Sequence, residues 1–265
     1  MAEIERVKRS GSDSLDAYEL VLQAQADVYS RALQRCAKAL LLLERALALD
    51  PTYGLAHAYA AECHHSIFLR GGLQEAHRTA SIRHAESAIA YGHDDASALA
   101  FAGHVIELDK HDRAAAFTAF DAALSVSPSS ALTYILGSAT LAFAGEAERA
   151  IEWAERGLRL SPFDVNRVSA FLSMSFAHFQ RGRYGDAADA ARKAIQASPA
   201  FSLCHMALAG SLAKIGQLEE AKAAGTRVLE LQPSFGYGTF LRNVGAVSSF
   251  VQEFGDALRA AGLPE

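Results

Sequence analysis

The chain has 265 residues, 25 lysines and arginines against 30 aspartates and glutamates, and only six prolines and three cysteines. A net charge of −5 excludes the basic excess on which nucleic-acid binding rests, and 51% hydrophobic residues exclude disorder. Cys36, Cys63 and Cys204 are odd in number and widely spaced, as in a reducing compartment. The longest aliphatic run, Ala39 to Leu43, is too short for a membrane span, and the charged residues Glu3 to Arg9 are unlike a signal peptide. A soluble, cytoplasmic, helical chain is expected, since alanine, the best helix former, makes up about a fifth of the residues.

In chain order, the first expected helical hairpin ends at Pro51, with Ala39, Leu43 and Ala46 on its second helix. The next 77 residues hold two hairpins, because Ala88 to His93 aligns with Ala123 to Pro128. The first of these ends near residue 93, with Gly92-His93 in place of a proline, and its surplus length falls near Arg70-Gly71-Gly72. The second ends at Pro128, with Ala116 and Phe120 in phase. The fourth, fifth and sixth share a stricter pattern. Gly145, Gly182 and Gly216 stand 17 residues before Pro162, Pro199 and Pro233, and Ala150, Ala187 and Ala221 stand 12 before them. Glycine supplies a positive φ for the tight turn, alanine lets two helices approach, and proline ends the second helix. The interval from Pro162 to Pro199 is longer, which places three extra residues near Phe163 to Val168.

This spacing resembles the 34-residue pattern of tetratricopeptide (TPR) repeats. The expected fold is all-α: a right-handed α-α superhelix, a single TPR solenoid over 1–265 with repeats ending near 51, 93, 128, 162, 199 and 233. Phe240, Val244, Val247, Val251, Phe254 and Leu258 form one apolar stripe, so 236–262 is expected to be a C-terminal capping helix over the last repeat.

A narrower resemblance lies in Ala2-Glu3-Ile4-Glu5-Arg6, Ser14 to Leu20, Glu44 to Pro51 and Leu258 to Glu265. These segments are similar to the C-terminal TPR region of bacterial class III adenylate/guanylate cyclases and related winged-helix regulators. The resemblance implies that the chain is the C-terminal part of such a signalling protein, with the catalytic or DNA-binding module before it. The metal-binding aspartates and βαβ scaffold of a cyclase have no counterpart here.

TPR arrays bind peptides in a groove lined by the first helix of each repeat. The corresponding positions are Phe101 and Val105, Ile135 and Ala139, Leu172 and Phe176, Met206 and Gly210. They are apolar, so a cationic clamp for a terminal carboxylate is missing. Such a face either binds an apolar partner helix or a second subunit, or is packed away as core. His57 and His64 are seven apart on one helix and His77 and His84 on the next, so His64 and His77 meet near the turn, close to Cys63 and Glu62. They are weak metal candidates without a recognised ligand spacing, and no metal or other cofactor is expected. The run from His104 to Arg113 reads as a solvated charged turn. The expected function is a non-catalytic scaffold for a protein or peptide partner, or for homodimerisation, without nucleic acid or membrane insertion. The alternatives are a ligand- or metal-sensing or enzymatic solenoid with a site in the groove, and a stand-alone adaptor.

Overall fold

The computed structural model describes residues 12–30 and 32–265, and among them it contains 14 α-helices and no strand. The segment Ala2 to Arg6 lies outside the described residues. The helices follow one another in pairs, and the chain divides into two compact units, Met1–Thr133 and Tyr134–Glu265.

The first unit holds α1 (Ser12–Ser30), α2 (Leu33–Leu49), α3 (Gly54–Arg70), α4 (Glu75–Tyr91), α5 (Ala96–Val105) and α6 (Arg113–Val126). A π-helical turn, Ile106–Lys110, prolongs α5. Hairpins α1/α2, α3/α4 and α5/α6 pack in sequence, with the first helices α1, α3 and α5 in contact with one another in order. Small residues make this possible: Cys36, Ala39 and Ala46 on α2 and Ala85 and Ala88 on α4 are fully buried. Gly92 stands just before His93, which takes the place where other hairpins carry proline, and the backbones of two links touch at Gly92. A Cβ on Gly54 would lie 2.4 Å from Gly92 Cα. Asp95 then starts α5, its carboxylate accepting from the N–H groups of Ser97 at 2.8 Å and Ala98 at 3.1 Å.

The second unit begins within α7 (Ala131–Phe143) and continues through α8 (Ala147–Leu160), α9 (Arg167–Gln180), α10 (Tyr184–Ala197), α11 (Ser202–Lys214) and α12 (Leu218–Leu231). Its three turns are built alike. Gly145, Gly182 and Gly216 have φ of +82°, +70° and +80°. The next residue donates to a carbonyl five positions back: Glu146 to Leu141, Arg183 to His178 and Gln217 to Leu212, at 2.9, 2.9 and 3.0 Å. This closure satisfies carbonyls at the helix end and requires the left-handed glycine. Ala116, Ala150, Ala187 and Ala221 are all fully buried. Pro128, Pro162, Pro199 and Pro233 lie in the links after α6, α8, α10 and α12.

The C-terminal segment differs from the single helix expected over 236–262. It forms α13 (Tyr237–Asn243) and α14 (Ser248–Ala260). Gly245 enters the left-handed region at φ +62°, and Val247 is extended, its N–H donating to Phe143 O at 3.0 Å. The break rotates the later stripe, so Phe250, Phe254, Ala257 and Leu258 point inward while Val247 and Val251 are half-exposed. The chain end also returns to α12, where a Cβ on Gly225 would meet Ala261 O at 2.7 Å.

Candidate functional site

The positions expected to line a groove are interior. Phe101 packs against Tyr29 and Tyr59, with ring centroids 6.2 and 5.5 Å away, and Val105 is fully buried. In the second unit Ile135 packs in the core with Ala154 and Ala170, and Met206 is fully buried. Leu172 is buried and Ala139 half-buried. Phe176 is covered by Phe250 and Phe254 of α14, both at 5.7 Å, and Phe179 meets Phe254 at 4.9 Å. The chain's own last helix therefore fills the face of α9 and α11 where a partner was expected.

The charged run His104 to Arg113 is not the solvated turn its composition suggests. Glu107 and Asp109 are each 1% exposed and lie in the π-helical turn. Asp109 accepts from His65 Nδ1 at 2.8 Å and from Ser81 Oγ, and its carbonyl accepts from Arg78 Nε at 2.7 Å. Burial opposes its ionised form, but His65 and these hydrogen bonds outweigh that and hold the carboxyl below the usual range. Burial pushes the Glu107 carboxyl up against the pull of Arg113, which donates to Oε1 at 2.9 and 3.1 Å. A serine, an aspartate and a histidine thus converge, but Ser81 is fully buried and bonds the carboxylate rather than the imidazole. The cluster ties α3, α4 and the π-helical turn together and offers no nucleophile to a substrate.

His64 and His77 do meet, and they form half of a ladder. The antiparallel register of α3 and α4 opposes His57 with His84 and His64 with His77, each pair with Nδ1···Nδ1 at 2.9 Å. His64 and His84 stack between the pairs, with centroids 5.7 Å apart and planes at 19°. His57 Nε2 donates to Pro51 O at 3.0 Å, so its Nδ1 is an acceptor and His84 Nδ1 carries the shared proton. Burial, then the neighbouring His77 and Arg83, lowers His64 to about 4. Burial, then His57, His64 and Arg83, lowers His84 to about 3. These rings are neutral at pH 7. Along one side runs an open depression of about 590 Å³ lined by Glu44, His57, His64, Arg83, His84 and Ser87. Among the described residues no group of three or more His, Cys, Asp or Glu side chains is arranged to hold a metal ion.

One surface feature was missed from the sequence. The residue two places before the end of each of the first four hairpins is large, apolar and exposed: Leu49 at 42%, Tyr91 at 48%, Val126 at 45% and Leu160 at 43%. The signal was present, since each falls at a fixed offset from the terminator. Periodicity assigns such residues to the core, and only the fold shows them outside it.

No protein-family model and no curated protein matches the chain. Among solved structures it is similar to PilF of Pseudomonas aeruginosa, at 17% identity over 92% of this chain and 98% of that one, with a TM-score of 0.53. It is similar to human IFIT1, solved as a dimer with PPP-AAAA, at 14% identity over 88% of this chain, with a TM-score of 0.65. It covers only 57% of the IFIT1 chain. A third likeness is to the APC/C hetero-tetramer Cut9–Hcn1, at 14% identity over 95% of this chain and 46% of that one, with a TM-score of 0.60. Among the described residues no helix is long and apolar enough to cross a membrane. The similar structures are TPR-repeat proteins, and at these identities the likeness establishes the fold: an all-α array of TPR-type helical hairpins.

Proposed function

We propose that the chain is a non-catalytic TPR scaffold that binds a protein partner, or a second copy of itself, along the exposed row Leu49, Tyr91 and Val126. The carrying observation is recurrence. Single exposed apolar residues are ordinary, but here one recurs per hairpin at a constant register along stacked repeats. Burying such a row is favourable at about 25 cal/mol per Å² of apolar surface, and a large apolar patch on a monomer marks an interaction site. The first-helix face of the second unit is unsuited to this role because α14 occupies it. Two of the similar structures are themselves protein assemblies, a dimer and a hetero-tetramer. The negative net charge disfavours a polyanionic ligand.

The segments Glu44 to Pro51 and Leu258 to Glu265 support a finer reading, in which this scaffold regulates a cyclase-like or winged-helix module in the same cytoplasmic polypeptide. The reading frame that encodes the chain tests this directly: a nucleotide-cyclase or winged-helix module in frame supports it, and a frame without either removes it. The purified chain is expected to form no cyclic nucleotide from ATP or GTP with Mg²⁺ or Mn²⁺. Turnover above a buffer blank would contradict a non-catalytic scaffold.

A further inference from the structure

We propose that the histidine ladder holds a divalent transition-metal site, with the Nδ1 atoms of His57 and His84 as its two protein ligands. Two imidazole nitrogens bound to one tetrahedral ion at about 2.0–2.1 Å stand about 3.3–3.4 Å apart. The pair's separation of 2.9 Å is therefore within a few tenths of an ångström of a chelate, and a small side-chain rotation opens it. The ion takes the place of the proton that His84 Nδ1 shares with His57, and that proton moves to His84 Nε2, so both imidazoles bind as neutral rings.

Three further features fit this pair. The His57 ring is fixed by its Nε2–H, which donates to Pro51 O at 3.0 Å, the arrangement by which metal-bound imidazoles are oriented and made more basic. The His84 ring is held by stacking on His64, with centroids 5.7 Å apart and planes at 19°. The pair borders the open depression, which leaves room for water to complete the coordination. Arg83 opposes the site, its guanidinium 3.5 Å from His84 Nε2, but it is exposed and can turn away. Imidazole ligands favour Cu²⁺, then Ni²⁺ and Zn²⁺, over Mg²⁺ or Ca²⁺.

The test is calorimetric titration of the full chain with CuCl₂, NiCl₂ and ZnCl₂ at pH 7.5, with electron paramagnetic resonance of the Cu²⁺ complex. One equivalent is expected, with two imidazole nitrogens in the Cu²⁺ spectrum. His57→Gln and His84→Gln are each expected to weaken binding at least about tenfold, the loss seen when even an outer-shell partner of a metal ligand is removed. His77→Gln and His93→Gln are expected to retain it, and far-ultraviolet circular dichroism checks that each variant folds. No saturable uptake, or uptake undiminished in the His57→Gln/His84→Gln double variant, overturns the proposal. Loss that follows His77 instead overturns it equally. If the variants unfold, the wild-type spectrum still decides, because Cu²⁺ bound without two imidazole nitrogens contradicts the site.

Discussion

Phe254 closes directly over Gly210: a Cβ at that position would lie 2.3 Å from the Phe254 ring. The contact explains why the fourth residue after Met206 on α11 carries no side chain, since an aromatic side chain from α14 occupies the space. Gly210→Val is expected to lever α14 off α9 and α11 and to cost about 1–3 kcal/mol, the usual range for overpacking. Urea unfolding measures the loss, and hydrogen exchange should show faster exchange across 248–260. Deleting 236–265 is expected to do more, exposing Phe176 and Phe179 and causing aggregation. A soluble, fully folded truncation would show that α14 is not needed to cover this face.

The docking of α14 also depends on charge. Glu253 on α14 accepts from Lys214 Nζ at 2.6 Å and from Tyr184 OH at 2.5 Å. The Lys214 and then the Tyr184 hydrogen bond hold the Glu253 carboxyl below its ordinary value of 4.5, while Glu253 raises Lys214 above 10.5. The carboxylate contribution is present above about 4.5 and is lost as pH falls through the lowered folded value. The ammonium contribution is present below about 10.5 and is lost as pH rises through the raised one. Both side chains are partly exposed, at 41% and 30%, so salt screens the pair. Glu253→Gln is expected to flatten the acid limb of the stability curve and reduce its salt dependence. An unchanged acid limb would count against the bridge.

The histidine ladder, like the Glu253 carboxylate, loses stability as pH falls, because its folded values are lowered. His64 and His84 titrate at about 4 and 3 in the folded chain against 6.5 for an ordinary histidine. Below about 6.5 the unfolded chain takes up protons that the folded chain refuses, so stability falls as pH drops from about 6.5 towards 4. Hydrogen exchange of α3 and α4 at pH 7.5 and pH 5 should show this hairpin loosening selectively. His64→Gln, which removes one such group, is expected to reduce the difference.

Ala150 and Ala187 are fully buried, and Ala187 O also accepts from Ser175 Oγ at 2.9 Å. Ala150→Trp or Ala187→Trp is expected to cost about 1–3 kcal/mol or more, because neither hairpin has room for an indole. A thermal midpoint within a degree of wild type would place these alanines off the helix–helix contact.

The all-α repeat was legible because glycine, alanine and proline each have a distinct backbone consequence and recur at fixed offsets. Gly145, Gly182 and Gly216 adopt the positive φ that their place in the pattern requires. The break at Gly245 was not legible, because the stripe from Phe240 to Leu258 is continuous in sequence and only the contact of Val247 with Phe143 shows where the helix stops. The apolar first-helix positions were ambiguous between groove and core. Phe101 and Met206 are core in the structure, and Phe176 is covered by α14, a long-range contact that local periodicity does not contain. Glu107 and Asp109 were misplaced for the same reason: their charge argues for solvent, while a π-helical turn carries them into contact with His65, Ser81 and Arg113.

The central claim concerns the row of Leu49, Tyr91 and Val126. The direct measurement is affinity purification from the cells that make the protein, comparing wild type with the Leu49→Glu/Tyr91→Glu/Val126→Glu variant, with sedimentation of both chains alone. A bound protein, or a dimer, that is present in wild type and absent in a variant of unchanged circular dichroism is the expected result. Identical partners and identical mass for the two chains would contradict it.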